Sequence, residues 1–107
     1  MANFKVVTLN INGITELSQQ ELLIDFLQAE NITCCLIQEH NLKYESSIYD
    51  IVREKYDIFF NATIKKKGGT MILLDKNLKY TVISCEKSYD SRIISLKICI
   101  DKRTLHI

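Results

Sequence analysis

Two apolar runs in this chain stop abruptly at polar side chains, and those endings carry the candidate chemistry. The first is Phe4-Lys5-Val6-Val7-Thr8-Leu9-Asn10-Ile11-Asn12-Gly13-Ile14, and the second is Cys35-Leu36-Ile37-Gln38-Glu39. Buried strands that deliver functional groups to the rim of a sheet read this way. An amide at Asn10 and a carboxylate at Glu39, ending neighbouring parallel strands, form a small oxygen-rich site suited to a hard cation such as Mg²⁺. Each residue alone has a plainer reading: Glu39 as a solvated strand-end carboxylate beside Gln38, His40 and Asn41, and Asn10 as a turn or cap residue. The pair at matching strand ends says more than either one.

The other candidates are weaker in sequence. His40 and His106 are the two histidines, and neither has a Ser, Cys or Asp partner at a recognisable spacing for general-base or nucleophilic work. His106 reads as structural; His40 faces either the site or open solvent. Lys65-Lys66-Lys67 is a solvated loop or, on the sharper reading, a phosphate contact centred on Lys66. Gly68-Gly69 lacks the spacing of a P-loop or dinucleotide fingerprint. Arg92 opens a strand after a Tyr-Asp-Ser turn, placed to pair with a carboxylate or approach a phosphate. Cys34, Cys35, Cys85 and Cys99 have no metal-ligand spacing and read as reduced, structural residues. The sequons at Asn31 and Asn61 matter only in a secreted chain.

The elements that must position these groups follow from periodicity. Residues 4–10 read as a strand and Asn12-Gly13 as a turn. Ser18-Gln19-Gln20-Glu21 has the spacing of a capping box. It opens a helix over roughly 18–30 with Leu22, Leu23, Phe26 and Leu27 on one face and Glu21, Asp25 and Gln28 on the other. Residues 33–38 form the next strand, so a right-handed βαβ crossover is expected, with its strands parallel and either adjacent or separated by one strand. Ligands in such folds bind at the carboxyl ends of the strands. A short helix capped by Ser46 or Ser47 runs to about Lys55. Strands follow at 56–61, 70–74, 79–86 and 91–100, and another begins at Thr104. Ile94, Leu96, Ile98 and Ile100 share one face of their strand.

A length of 107 residues suits one domain with a modest core. Hydrophobic content of 47% and charged content of 25% are those of a globular chain. A net charge of +1 excludes a protein that coats nucleic acid by global charge, though not one with a local basic patch. No stretch approaches the roughly 18 apolar residues of a membrane span. Met1-Ala2-Asn3 leads straight into a strand without a signal sequence, so an intracellular protein is expected.

Three short words, Thr8-Leu9-Asn10-Ile11-Asn12-Gly13, Ile37-Gln38-Glu39 and Gly68-Gly69-Thr70-Met71-Ile72-Leu73, resemble the endonuclease/exonuclease/phosphatase superfamily. Within it they are most similar to the apurinic-type endonuclease domain of LINE-like (non-LTR) retrotransposons. The resemblance covers residues 1–107 but only the N-terminal half of that domain. It implies an α/β fold, a four-layer sandwich of two mixed β-sheets flanked by helices. It implies a Mg²⁺-dependent hydrolase, with Mn²⁺ as a substitute, that nicks DNA to leave a 3′-hydroxyl for priming reverse transcription. Asn10 and Glu39 would be catalytic, with Glu39 the metal ligand and Asn12, Lys66 and Arg92 the DNA contacts. A fused reverse transcriptase and a nuclear location are the expected context.

The family's tyrosine, Asp-x-Asn pair and late aspartate and histidine have no counterparts here, and His40-Asn41 stands where a Thr-His pair is common. Ser91 replaces the usual glycine before Arg92. The chain is therefore expected to be truncated, inactive on DNA by itself and prone to aggregate. A repair endonuclease or another phosphoesterase of the superfamily is the alternative within this fold. A non-catalytic α/β binding module is the alternative outside it.

Overall fold

The computed structural model describes residues 4–107; Met1-Ala2-Asn3, expected to lead into the first strand, lie outside them. The chain runs β1 (Val6–Asn10), α1 (Leu17–Ala29), β2 (Cys34–Gln38), a 3-10 turn (Glu45–Ser47), α2 (Asp50–Arg53), β3 (Tyr56–Asn61), β4 (Thr70–Asp75), β5 (Thr81–Lys87), β6 (Ile94–Ile100) and β7 (Arg103–His106). Two sheets result, one ordered β1-β2-β4-β3 and one ordered β5-β6-β7. β1 and β2 are adjacent and parallel, as the strand–helix–strand reading requires, and every other pair is antiparallel.

Alternation along the central strands builds two cores on opposite faces of the first sheet. Cys35, Ile37, Met71 and Leu73 point toward the helices and pack with Leu23, Ile24, Leu27 and Val52. Their neighbours Cys34, Ile72 and Leu74 point the other way, onto Leu96 and Ile98 of the second sheet. The result is the mixed α/β, two-sheet arrangement expected from the sequence, with both helices on the side of the first sheet. β5 exposes most of its residues, Val82 and Ile83 among them.

Three local expectations are corrected. Helix α1 is capped by Glu16 and not by Ser18, which lies inside the first turn; the Gln19 side-chain oxygen accepts the Glu16 N–H at 3.0 Å. The buried face of α1 is Gln20, Leu23, Ile24 and Leu27, while Leu22 and Phe26 are 71% and 42% exposed. Gln20 turns that face inward. Its amide donates to Ile14 O at 2.8 Å and Ser47 O at 3.1 Å and accepts the Tyr49 N–H at 2.8 Å. Three backbone partners of that kind make a polar side chain acceptable in a core. The second helix is shorter than expected and follows Tyr49, not Ser46 or Ser47.

All four cysteines are free. Burial pushes the Cys34 and Cys35 thiols up to about 12, so both behave as inert small hydrophobes; Cys85 is exposed. No helix among the described residues is long and apolar enough to cross a membrane.

Candidate active site

The four strands of the first sheet finish one edge with a row of polar residues. In the register, Asn10 pairs with Gln38, Gln38 with Thr70, and Thr70 with Asn61. Residues facing each other in a ladder share a side of the sheet. Since Gln38 shares its face with Cys34 and Leu36, and Thr70 with Ile72 and Leu74, the row lies on the side of the second sheet. There it meets the turn between β5 and β6, where the Thr70 hydroxyl donates to Ser91 O at 3.3 Å and the Asn61 amide to Ile93 O at 3.0 Å.

Beyond the row the backbone is stitched into a loop that presents Glu39. Ile11 N–H donates to Gln38 O at 3.0 Å, Gly13 N–H to Glu39 O at 2.7 Å and Ile14 N–H to His40 O at 3.1 Å. On the other side Glu39 N–H donates to Gly69 O and Asn41 N–H to Gly68 O, each at 2.8 Å, and the Asn41 side chain accepts the Gly68 N–H at 2.9 Å. Asn12, Glu39, Asn41 and Ser91 all take positive φ here, at 51°, 58°, 63° and 65°. For glutamate this conformation costs roughly 1–2 kcal/mol. The ladders on both sides hold it in place, as they do at sites where an unusual side-chain direction is required.

A cleft of about 380 Å³ opens over this edge. Asn10, Gln38 and Glu39 line it from the first sheet, Lys65, Lys67, Gly68 and Gly69 from the loop before β4, and Asp90, Ser91 and Arg92 from the turn of the second sheet. Asn10, Glu39 and Arg92, proposed from sequence, thus share one cleft. Asn12 is exposed on its turn and does not line it, and neither does Lys66. The lysines flanking Lys66 take that place, because the Thr63 hydroxyl sits 2.8 Å from Lys65 O and 2.9 Å from Lys67 O and folds the loop around itself. Arg92 also pairs loosely with Asp90, at 3.7 Å. The Ser88 hydroxyl and the Arg92 N–H hold the Asp90 carboxyl below the usual carboxylate range.

His40 faces neither the cleft nor solvent: it is fully buried. Its Nδ1 accepts the Leu42 N–H at 2.8 Å, so Nε2 carries the proton and donates to Asn61 O at 2.9 Å. The ring stacks on Phe60 with centroids 4.7 Å apart. With both nitrogens engaged it is a neutral strut and not a general base. Burial holds its pKa below the ordinary 6.5, against the opposing hydrogen bonds to the Asn61 and Thr70 backbone. As pH falls the unfolded chain therefore takes up this proton first, so the contribution is complete above about pH 6.5 and declines below it. Urea midpoints at about pH 7.5 and about pH 5.5 should differ in the wild type and less so in His40→Asn, whose amide oxygen can still accept from Leu42. Equal pH dependence in both would remove His40 as the cause.

His106 has a partner that sequence spacing does not reveal: Ser95 Oγ lies 2.6 Å from its Nε2 across β6 and β7, on the exposed side of the second sheet and away from the cleft lining.

The donors suit a small hard cation. No three His, Cys, Asp or Glu side chains converge among the described residues, which does not match the closed Cys/His set of a structural zinc. The cleft lining holds two carboxylates, Glu39 and Asp90, and the amide side chains of Asn10 and Gln38. Asp90 pairs with Arg92 at 3.7 Å, which leaves Glu39 as the carboxylate for a cation. Mg²⁺ is held in this way, by few protein ligands with water and substrate phosphate completing the shell.

No family model matches the sequence. Solved structures do match. A truncated Caenorhabditis elegans TDP2 superposes with a TM-score of 0.64 at 20% identity, over 94% of this chain and 43% of that one. An AP endonuclease from Archaeoglobus fulgidus gives 0.68 at 15% identity, over 97% and 40%. A D. rerio TDP2 complexed with single-strand DNA product gives 0.68 at 12%, over 96% and 43%. These neighbours are members of the endonuclease/exonuclease/phosphatase superfamily, and the fold of this chain is theirs. The chain spans less than half the length of each.

Proposed function

We propose that this chain is the N-terminal part, residues 1–107, of a Mg²⁺-dependent DNA endonuclease of the LINE-like retrotransposon type. It nicks target DNA and leaves a 3′-hydroxyl that primes reverse transcription by a domain joined to it, in the nucleus. The observation that carries this reading is the meeting of one carboxylate and one amide at parallel strand ends with Lys65, Lys67 and Arg92 around a single cleft. A carboxylate site rimmed by basic side chains suits an anionic phosphate ester together with a cation. A DNA product bound to a neighbour of the same fold agrees with that substrate.

In the proposed reaction water attacks phosphorus and the P–O3′ bond breaks, giving a 3′-hydroxyl and a 5′-phosphate. Glu39, with Asn10 in the same cleft lining, would hold the metal, which would supply charge stabilisation at the phosphoryl oxygens. Asn10 orients Glu39 or the scissile phosphate. Lys65, Lys67 and Arg92 bind flanking phosphates and fix the strand, a charge-based contact that carries no sequence information. His40 takes no proton in this scheme. No general base is assigned among the described residues that line the cleft.

The test is a plasmid-nicking assay on the polypeptide encoded by the full reading frame. The expected result is Mg²⁺-dependent conversion of supercoiled to nicked circles whose ends a polymerase extends directly. Ends that need phosphatase treatment first, or hydrolysis of nucleotide or lipid phosphates with no nicking, would favour another phosphoesterase of the same fold.

A further inference from the structure

The turn that carries Arg92 is held to the rest of the molecule in an unusual way. Its own residues close it: Ser88 N–H donates to Ile93 O at 2.8 Å, Ile93 N–H to the Ser88 hydroxyl at 2.8 Å, and that hydroxyl to Asp90 at 2.8 Å. Apolar packing does not anchor it, because Tyr89 is 98% and Ile93 64% exposed. Its side-chain ties to the first sheet are polar, from Thr70 to Ser91 O and from Asn61 to Ile93 O, with Ser88 O at 3.5 Å from the same amide. Asn61 is itself buried at the end of β3, and its backbone carbonyl receives the His40 Nε2–H.

We propose that Asn61 is a positioning residue that fixes the Arg92 turn of the second sheet against the Glu39–His40 loop of the first. Its carbonyl supports the strut beneath the loop, and its amide faces two carbonyls of the turn. An amide fits this place because its two N–H donors meet two acceptors, whereas a carboxylate would set oxygen against oxygen. The two walls of the cleft come from different sheets, and this link, with the Thr70–Ser91 bond, ties the turn of one to the edge of the other. Replacing the side chain frees the turn while leaving the backbone bond to His40, and with it the Glu39 loop, in place. The use of the turn for phosphate binding rests on the function proposed above; its attachment through Asn61 does not.

Two readouts on the full-frame polypeptide separate these points. Amide hydrogen exchange over residues 88–93 should be about tenfold faster in Asn61→Ala, the effect of losing about 1.4 kcal/mol of buried hydrogen bonding, with β2 and β4 unchanged. Thr70→Val should loosen the same turn if Asn61→Ala does not fold. A fluorescent single-stranded oligonucleotide should bind less tightly to Asn61→Ala and to Arg92→Ala, with the double variant no weaker than the poorer single one, and Mn²⁺ affinity should be unaltered by Asn61→Ala. Unchanged exchange at 88–93, or strictly additive losses of oligonucleotide affinity, would overturn the proposal. A wild-type protein that binds no oligonucleotide would count against the nuclease reading instead, and the exchange result would still decide whether Asn61 holds the turn.

Discussion

Replacing Gly69 with alanine should destabilise the protein by more than about 3 kcal/mol, among the largest effects of any single methyl group here. A Cβ at Gly69 would stand 2.2 Å from His40 Cε1 and 2.6 Å from Nε2. The ring has nowhere to go, since Leu42, Asn61 and Phe60 fix it on three sides. The residue also has φ +87°, which favours glycine whatever the space. At roughly 2 °C or more per kcal/mol for a domain of about 150–250 residues, the melting temperature of the full-frame polypeptide should fall by at least about 6 °C. Serine should behave like alanine. A variant that melts within a few degrees of wild type would mean that the glycine loop and His40 are not packed as described.

The second large effect is on activity. Glu39→Gln keeps the size of the side chain and removes its charge, and its backbone position depends on ladders that the substitution leaves alone. Stability should therefore change little. Nicking by the full-frame polypeptide should fall at least about 100-fold, because even partners one step removed from a metal cost about 10–100-fold when lost. Near wild-type nicking in this variant would remove Glu39 from the site.

The frame of the site was legible in the sequence where each local pattern was self-sufficient. Residues 4–10 and 33–38 read as strands because β-branched and apolar residues dominate both runs, and the helix between them made the strands parallel, so Asn10 and Glu39 came out on one edge. Asn61 and Thr70 end or begin apolar runs in the same manner, and with Asn10 and Gln38 they complete the polar row. Their place in it depends on β3 and β4 being antiparallel, a fact of tertiary pairing that no local window contains. His40 misled because its sequence neighbours are polar, while its partner Asn61 lies 21 residues on. Among three consecutive lysines the sequence gives no preference. The choice of Lys65 and Lys67 is made by the hydroxyl of Thr63. Gln20 rotates α1 through backbone partners as far away as Tyr49, which overrides the simpler stripe of Leu22 and Phe26.

The most direct test of the account is a Mn²⁺ titration, followed by paramagnetic resonance, of the wild-type full-frame polypeptide and its Glu39→Gln variant, with Mg²⁺ as competitor. A single Mn²⁺ site that Mg²⁺ displaces is expected, weakened at least about tenfold by the substitution. Equal affinity in the two proteins would contradict it and leave a polar-edged α/β module with no metal at Glu39.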